Sequence, residues 1–234
     1  MSVKRVLLKL SGEALSDAKS SISEENLNRT VAEIKSACSS NVVQLAIVIG
    51  AGNIWRGAGK NVDRTSADKM GMLATVMNAL ALNDILNREN LRAKTFTAAG
   101  VSSFVEEFNK EKAIKYLEDG YITIFAGGTG NPYFTTDTTA ALRAAEIKAD
   151  IILKATQVDG VYSADPKKDA NAVKYDKLTF KEAIDKQLKI MDSSAFALCM
   201  ESNIEISVFD FYKDGNLRKI LNGEKIGTLI KGDA

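Results

Sequence analysis

Gly127-Gly-Thr-Gly-Asn-Pro-Tyr-Phe-Thr-Thr-Asp137 is the stretch on which the reading of this chain turns. An apolar run at residues 121–125 leads into it, and a helix-favouring run at residues 140–146 leads out. A strand therefore empties into a glycine-rich turn, and the turn into a helix. Glycines let a backbone approach a ligand closely and turn several N–H groups toward it. A helix N-terminus favours negative charge for the same geometric reason. Thr129, Asn131, Thr135 and Thr136 add donors suited to phosphate, ribose or base edges. Taken alone, the stretch reads equally as a loop of turn formers, with Thr136 or Asp137 as an ordinary helix N-cap.

Outward from this turn, apolar runs of strand length alternate with helical patterns. Residues 3–10 read as a strand and 24–37 as a helix with Ser23 as its N-cap. Residues 42–49 are nearly all apolar, as in a parallel strand buried on both faces. A long helix at 67–87, a strand at 93–98, a helix at 110–118, a strand at 121–126, a helix at 138–148 and a strand at 150–155 follow. Such a run of β-α-β units predicts the α/β class, a three-layer α/β/α sandwich on a mostly parallel central sheet. Further on, residues 157–162, with Asp159-Gly160 at their middle, read as a short hairpin turn. Helices at 180–186, 193–202 and 215–221 and strands at 205–209 and 227–231 complete the pattern. Residues 165–171 form the most polar loop, a candidate lobe boundary. Met70, Met77 and Leu80 of the long helix are expected in the core, a subunit interface being the other reading.

A chain of 234 residues can bury a full core as one domain or two closely joined lobes. Its composition is that of a globular protein, with 26% charged residues and a net charge of +1. That balance gives no basic surface for nucleic acid or membrane, and no apolar run approaches the ~20 residues a membrane helix needs. The opening residues are apolar too briefly for a signal peptide, and Cys38 and Cys199 stand alone. A cytoplasmic protein is the expectation. There is no histidine. Ser-His-Asp triads, Cys-His dyads, HExxH zincins and the HRD kinase loop are thereby removed. The chemistry left to Lys, Arg, Asp, Thr and backbone amides suits a reaction won by positioning and charge neutralisation, of which phosphoryl transfer is the leading example.

Three turns sit at strand ends: Ser11-Gly12, the segment 50–59 and the segment 127–137. Gly50-Ala51-Gly52 has Trp55 where a dinucleotide fingerprint wants a small residue, and no Walker-type P-loop is present. In an open parallel sheet, ligands sit at the carboxyl ends of strands. Lys9 reads as an edge-of-strand surface lysine or as a fixed cation for phosphates, and Arg56 as a guanidinium clamp. Asp192 reads as an N-cap for helix 193–202.

Six motifs then fall in order: KLSGEAL (9–15), GAGNIWRGAG (50–59), ADKMGMLATVMNALAL (67–82), GGTGNPYFTTD (127–137), LKATQVDGVYSADP (153–166) and LKIMD (188–192). Together they resemble the bacterial UMP kinases of the amino-acid-kinase fold, over nearly the whole chain. The resemblance implies transfer of the γ-phosphoryl group of Mg-ATP to UMP, giving UDP and ADP in pyrimidine nucleotide biosynthesis. It implies one domain over 1–234, with a UMP lobe at about 1–150 and an ATP lobe at about 151–234. Mg²⁺ is implied as the cofactor, held mainly by nucleotide phosphates without direct protein ligands, and a homohexamer as the assembly.

By the same resemblance, Lys9, Arg56, Asp137 and Asp192 are the catalytic set. Lys9, Leu10, Ser11, Gly12, Gly52, Arg56, Lys154, Thr156, Tyr162 and Asp165 fall on the ATP side. Ala51, Asp68 and the loop of Thr129, Gly130, Asn131, Pro132, Tyr133, Phe134, Thr135 and Thr136 fall on the UMP side. Same-fold kinases with carboxylate acceptors, acetylglutamate or aspartate, are one alternative; Asp68 and the TGNPYFTTD loop speak against it. A non-catalytic nucleotide-binding member is another, against which Lys9, Arg56 and Asp137 are all present. Two departures carry expectations. Ala51 replaces a usual glycine, which is harmless if its φ is negative. Residues 16–22 replace a glycine-rich stretch linked to GTP activation, so weak or absent activation by GTP is expected.

Overall fold

The computed structural model describes residues 4–39, 43–57, 61–101 and 103–232. The first residue of the expected strand 3–10, the first of the expected strand 42–49 and the end of the 50–59 turn lie outside them. Nine strands form one sheet in the order β4 (Glu106–Glu107), β3 (Ala93–Thr97), β5 (Ile122–Ala126), β2 (Val43–Ile49), β1 (Lys4–Leu10), β6 (Ile151–Thr156), β10 (Glu205–Asp210), β11 (Thr228–Lys231) and β9 (Lys177–Thr179). Every pairing in it is parallel except β10 with β11. The central strands are buried on both faces, which is why they read as unbroken Val, Ile and Leu runs.

One face of the sheet packs against α1 (Glu24–Ser39), α2 (Arg64–Arg88) and α7 (Asn216–Leu221) through Val31, Ile34, Leu82 and Leu217. The other packs against α3 (Lys110–Glu118), α4 (Thr136–Glu146), α5 (Phe180–Asp185) and α6 (Ser193–Glu201) through Leu117, Ala141, Phe180 and Phe196. The three-layer expectation is met. The alternation of strand and helix puts β1 beside β2 on one side and beside β6 on the other. The ligand position of an open α/β sheet is the carboxyl end of the strands where that order reverses.

Four expectations are corrected. Residues 157–162 are not a hairpin turn: Val161–Tyr162 (β7) pairs antiparallel with Lys174–Tyr175 (β8), so the connection spans the polar loop beyond Asp165. Helix α2 starts at Arg64, because the Asp63 carboxylate accepts from the Ser66 amide at 3.0 Å and caps it there. The cap of α4 is Thr135, not Thr136 or Asp137; its hydroxyl accepts from the amides of Asp137 and Thr138. Met70, Met77 and Leu80 are not core: with Leu73 they are 38–53% exposed, in one stripe along α2.

Ala51 is not among the residues of positive φ, so alanine is unstrained there. Gly127 differs. Its φ is 77°, and a Cβ would lie 2.5 Å from the Ala99 amide nitrogen and 2.7 Å from the Thr97 hydroxyl. Gly127→Ala is expected to cost about 2–4 kcal/mol, combining left-handed strain with overpacking. Urea unfolding measures it; a loss under about 0.5 kcal/mol, the range of neutral surface changes, would contradict the account.

Candidate active site

The register of β1 against β6 sets Lys9 directly opposite Lys154, on the sheet face that carries α4. Two ammonium groups on neighbouring strands repel, and both side chains are largely buried, so a counter-charge is required. Asp137 in the first turn of α4 supplies it. Lys9 Nζ stands 2.8 Å from Oδ1 as an ion pair, although Oδ1 receives no well-aligned hydrogen bond. Lys154 Nζ donates to Oδ2 at 2.7 Å and also to the Ile190 carbonyl. Burial alone would raise the Asp137 carboxyl, but Lys9 and then Lys154 outweigh it, and its pKa falls below the usual value. The Lys154 ammonium is lowered chiefly by burial, with Asp137 pulling it back up and Lys9 adding to the fall. With Asp192 also acting on Lys154, the two cations are formally balanced by two carboxylates, so an anion would be drawn by the ammonium N–H groups themselves and by the N-termini of α4 and α6.

Asp192 does two jobs at once. It caps α6, accepting from the Ala195 amide at 3.0 Å, and accepts from the Thr138 hydroxyl at 2.8 Å and from the Thr135 hydroxyl. The N-termini of α4 and α6 are thereby tied together beside the lysines. The N-cap reading of Asp192 holds. Both cysteines are inert at neutral pH, since burial pushes the Cys38 thiol up to about 11 and that of Cys199 to about 12.

A cleft of about 170 Å³ is lined by Ala51, Trp55, Asp68, Thr75, Phe134 and Thr136 among others. Asp68 is its hub. Oδ2 accepts from Arg64 Nε at 2.8 Å and from the Tyr133 amide at 2.7 Å, and the Arg64 guanidinium lies over the Tyr133 ring. Tyr133 holds a φ of 72°, unusual for a bulky residue, and that bend turns its amide to Asp68. The glycine-rich loop is thus clasped to α2. Thr75 adds a second clasp, accepting from the Gly127 amide at 2.8 Å. Thr129 and Asn131 bond each other at the exposed tip, with Gly130 and Pro132 beside them.

A second cleft, of about 210 Å³, is lined by Lys9, Ser11, Glu13, Lys154, Thr156 and Tyr212 among others. It adjoins one of about 560 Å³ that shares Lys154 and Thr156 and includes Tyr162, Asp165 and Pro166. Leu10 is buried in the core and lines neither of these clefts. Arg56 stands apart from the Lys9 group: its Nε donates to the Gly52 carbonyl at 2.9 Å, and its guanidinium pairs with Glu13. That pair bridges the two glycine turns. Among the described residues, the amides of Ala51 and Gly52 donate to no acceptor and remain available. Glu13, Arg64, Thr75 and Thr138 are the parts sequence reading missed. Thr75 follows Asp68 by seven residues, two helical turns on the same face, which was a usable signal.

This fold and site define a class of protein. Residues 4–210 match the model of the amino acid kinase family, and the chain belongs to that family. It superposes on a UMP kinase from Bacillus anthracis with a TM-score of 0.94 at 38% identity, covering 99% of this chain and 97% of that one. A UMP kinase from Ureaplasma parvum gives 0.93 at 38%, covering 99% and 100%. A uridylate kinase from Archaeoglobus fulgidus gives 0.73 at 31%, covering 96% and 99%.

The lowered Asp137 pKa has a stability consequence. Its contribution is fully present above the unfolded value of about 3.9 and is lost as pH falls through the depressed folded value. Asp137→Asn leaves two buried lysines uncompensated, costing about 3 kcal/mol at pH 7. Urea unfolding at pH 7 and at pH 3 is expected to show that deficit narrowing at the lower pH. A deficit of the same size at both would contradict the pairing.

Proposed function

We propose that this chain transfers the γ-phosphoryl group of ATP to UMP, releasing UDP and ADP. The observation that carries the reading is the Lys9, Asp137 and Lys154 group: its lysines line the cleft that holds Ser11 and Thr156, and Asp137 directly follows Thr135 and Thr136, which line the cleft that holds Asp68. The UMP kinases of similar structure support the choice of acceptor.

An oxygen of the UMP phosphate attacks the γ-phosphorus, the bond from that phosphorus to the β,γ-bridging oxygen breaks, and ADP leaves. The second pKa of a phosphate monoester is about 6, so the acceptor is mostly dianionic at neutral pH and needs no general base. That agrees with a chain without histidine. The obstacle is repulsion between two polyanions. Lys9 and Lys154 offset it at the transferred group, and Arg56, Gly52 and the Ser11-Gly12 turn offset it on the ATP phosphates. Asp137 orients the two lysines, and Asp192 holds the α4 and α6 termini around them.

Asp68 receives the ribose of UMP, and Ala51, through its backbone, with residues 129–136, surrounds the rest. Thr156, Tyr162 and Asp165 receive the adenosine of ATP. The division into an acceptor lobe of about residues 1–150 and a donor lobe of about 151–234 follows the boundary between β1 and β6. A divalent metal, in general use by nucleotide kinases, supplies further charge neutralisation when bound. The donor set fits Mg²⁺ brought on the phosphates. Asp137 is committed to lysines and Asp192 to hydroxyls and an amide.

We also infer a cytoplasmic homo-oligomer, a hexamer in the fullest form. No described helix is long and apolar enough to cross a membrane, and the exposed stripe Met70, Leu73, Met77 and Leu80 offers a self-packing face at heptad spacing.

An ADP-release assay with Mg-ATP and UMP, CMP, dTMP, AMP, acetylglutamate or aspartate tests the reaction. Turnover on UMP that falls at least about a hundredfold in Lys9→Ala is expected. Turnover on an amino-acid acceptor, or silence on all despite ATP binding, would overturn it. For the assembly, sedimentation velocity of Met77→Glu is expected to show smaller particles than the parent chain. A parent that is already monomeric would refute the oligomer.

A further inference from the structure

Asn78 lies in the middle of α2 with no solvent exposure at all. A buried amide is costly unless every polar atom finds a partner, and here each does. Asn78 Nδ2 donates to the Gly50 carbonyl and to Asn53 Oδ1, both at 2.8 Å. Its Oδ1 accepts from Asn53 Nδ2 at 2.9 Å, and Asn53 Nδ2 also donates to the Ser21 carbonyl at 2.6 Å. The Gly50 and Ser21 carbonyls can only accept, so they fix both amide orientations, and the two side chains close a reciprocal ring between them.

This ring touches both glycine turns. A Cβ on Gly12 would lie 2.1 Å from Asn53 Oδ1 and 2.7 Å from the Gly50 carbonyl, so Gly12 is the notch into which the ring is set. The Gly50 amide donates to Leu10 at 2.9 Å, anchoring the same turn to the end of β1. The Gly50 carbonyl and the Ala51 N–H belong to one planar trans peptide and point in opposite directions. Gripping that carbonyl therefore aims the Ala51 N–H away from Asn78. That N–H meets no acceptor among the described residues, and Ala51 lines the cleft that holds Asp68.

We propose that Asn78 and Asn53 act as one positioning unit for phosphoryl transfer. By holding the Gly50–Ala51 peptide plane, they fix the direction of the Ala51 amide, and through Ser21 they tie that direction to the segment after the first turn. Neither side chain touches the reacting atoms. An amide aimed at developing charge acts on the transition state more than on the bound substrate, so its loss lowers kcat and leaves KM nearly unchanged. This proposal rests on the kinase reading, and its test includes a readout independent of that reading.

The test compares Asn78→Ala, Asn53→Ala and the double variant in the intact chain, with circular dichroism at the assay temperature as the check on folding. Asn78→Ala is expected to lower kcat by about tenfold or more, with KM for ATP and for UMP within about threefold. The double variant is expected to match Asn78→Ala within about twofold, because the two side chains form one unit. Amide hydrogen exchange is the independent readout. The amides of Gly50, Ile54 and Trp55 bond within this turn or to β1, and faster exchange confined to residues 50–55 is expected in each single variant. Unchanged kcat in Asn78→Ala, a loss in KM alone, or a double-variant loss equal to the product of the single ones would overturn the proposal. Unchanged exchange at residues 50–55 would overturn it too, even if UMP proves not to be the acceptor. Where Asn78→Ala fails to fold, Asn53→Ala, whose side chain is only partly buried, carries both readouts with the same expected directions.

Discussion

Two lysines that the sheet forces together, and the one carboxylate that makes this tolerable, are what the rest of the site depends on. Parallel pairing of β1 with β6 leaves no freedom: Lys9 and Lys154 share a register position and a face. Their ammonium groups are buried enough that neither is stable without a partner, yet both pair with the single side chain of Asp137. The glycine-rich loop must therefore end where it does, so that the first turn of α4 brings Asp137 over the sheet. Asp192 then has a fixed place, because it caps α6 while holding the Thr135 and Thr138 hydroxyls of that same turn. On the proposed function, the two ammonium groups and the adjoining N-termini of α4 and α6 are what would draw phosphates to this place.

Helix α2 joins the cleft around Asp68 to the outside. One side carries Asp68, Thr75 and Asn78 toward the loop and the glycine turn. The roughly opposite side carries Met70, Leu73, Met77 and Leu80 into solvent. At about 100° per residue these are separate stripes of one cylinder. A neighbour packed on the outer stripe would press on the helix that holds the inner one. In this way the proposed oligomer contact and the proposed acceptor cleft would share a single rigid element.

Much of this was legible in the sequence, and the misses have physical causes. The turn at residues 127–137 and the position of Lys9 were readable because glycine clusters and apolar runs are local signals. The partnership of Lys9 with Lys154 was not, since it depends on β1 lying beside β6, residues that are distant along the chain. The α4 cap was misplaced because Thr135, Thr136 and Asp137 are all good caps, and the bond from Thr135 to Asp192 bears on which one serves. The stripe on α2 was read as core because periodicity reveals an apolar face and is silent on what covers it. The hairpin at Asp159-Gly160 failed for a related reason: the partner of β7 is β8, beyond the polar loop, and not the strand just before it.

The most direct measurement is the single-turnover rate of phosphoryl transfer from Mg-ATP to UMP in Lys154→Met, with dissociation constants for both nucleotides taken in parallel. If the paired lysines neutralise the group in transfer, the chemical step falls by about a hundredfold while both affinities stay within a few fold. A chemical step equal to that of the parent chain would contradict the account.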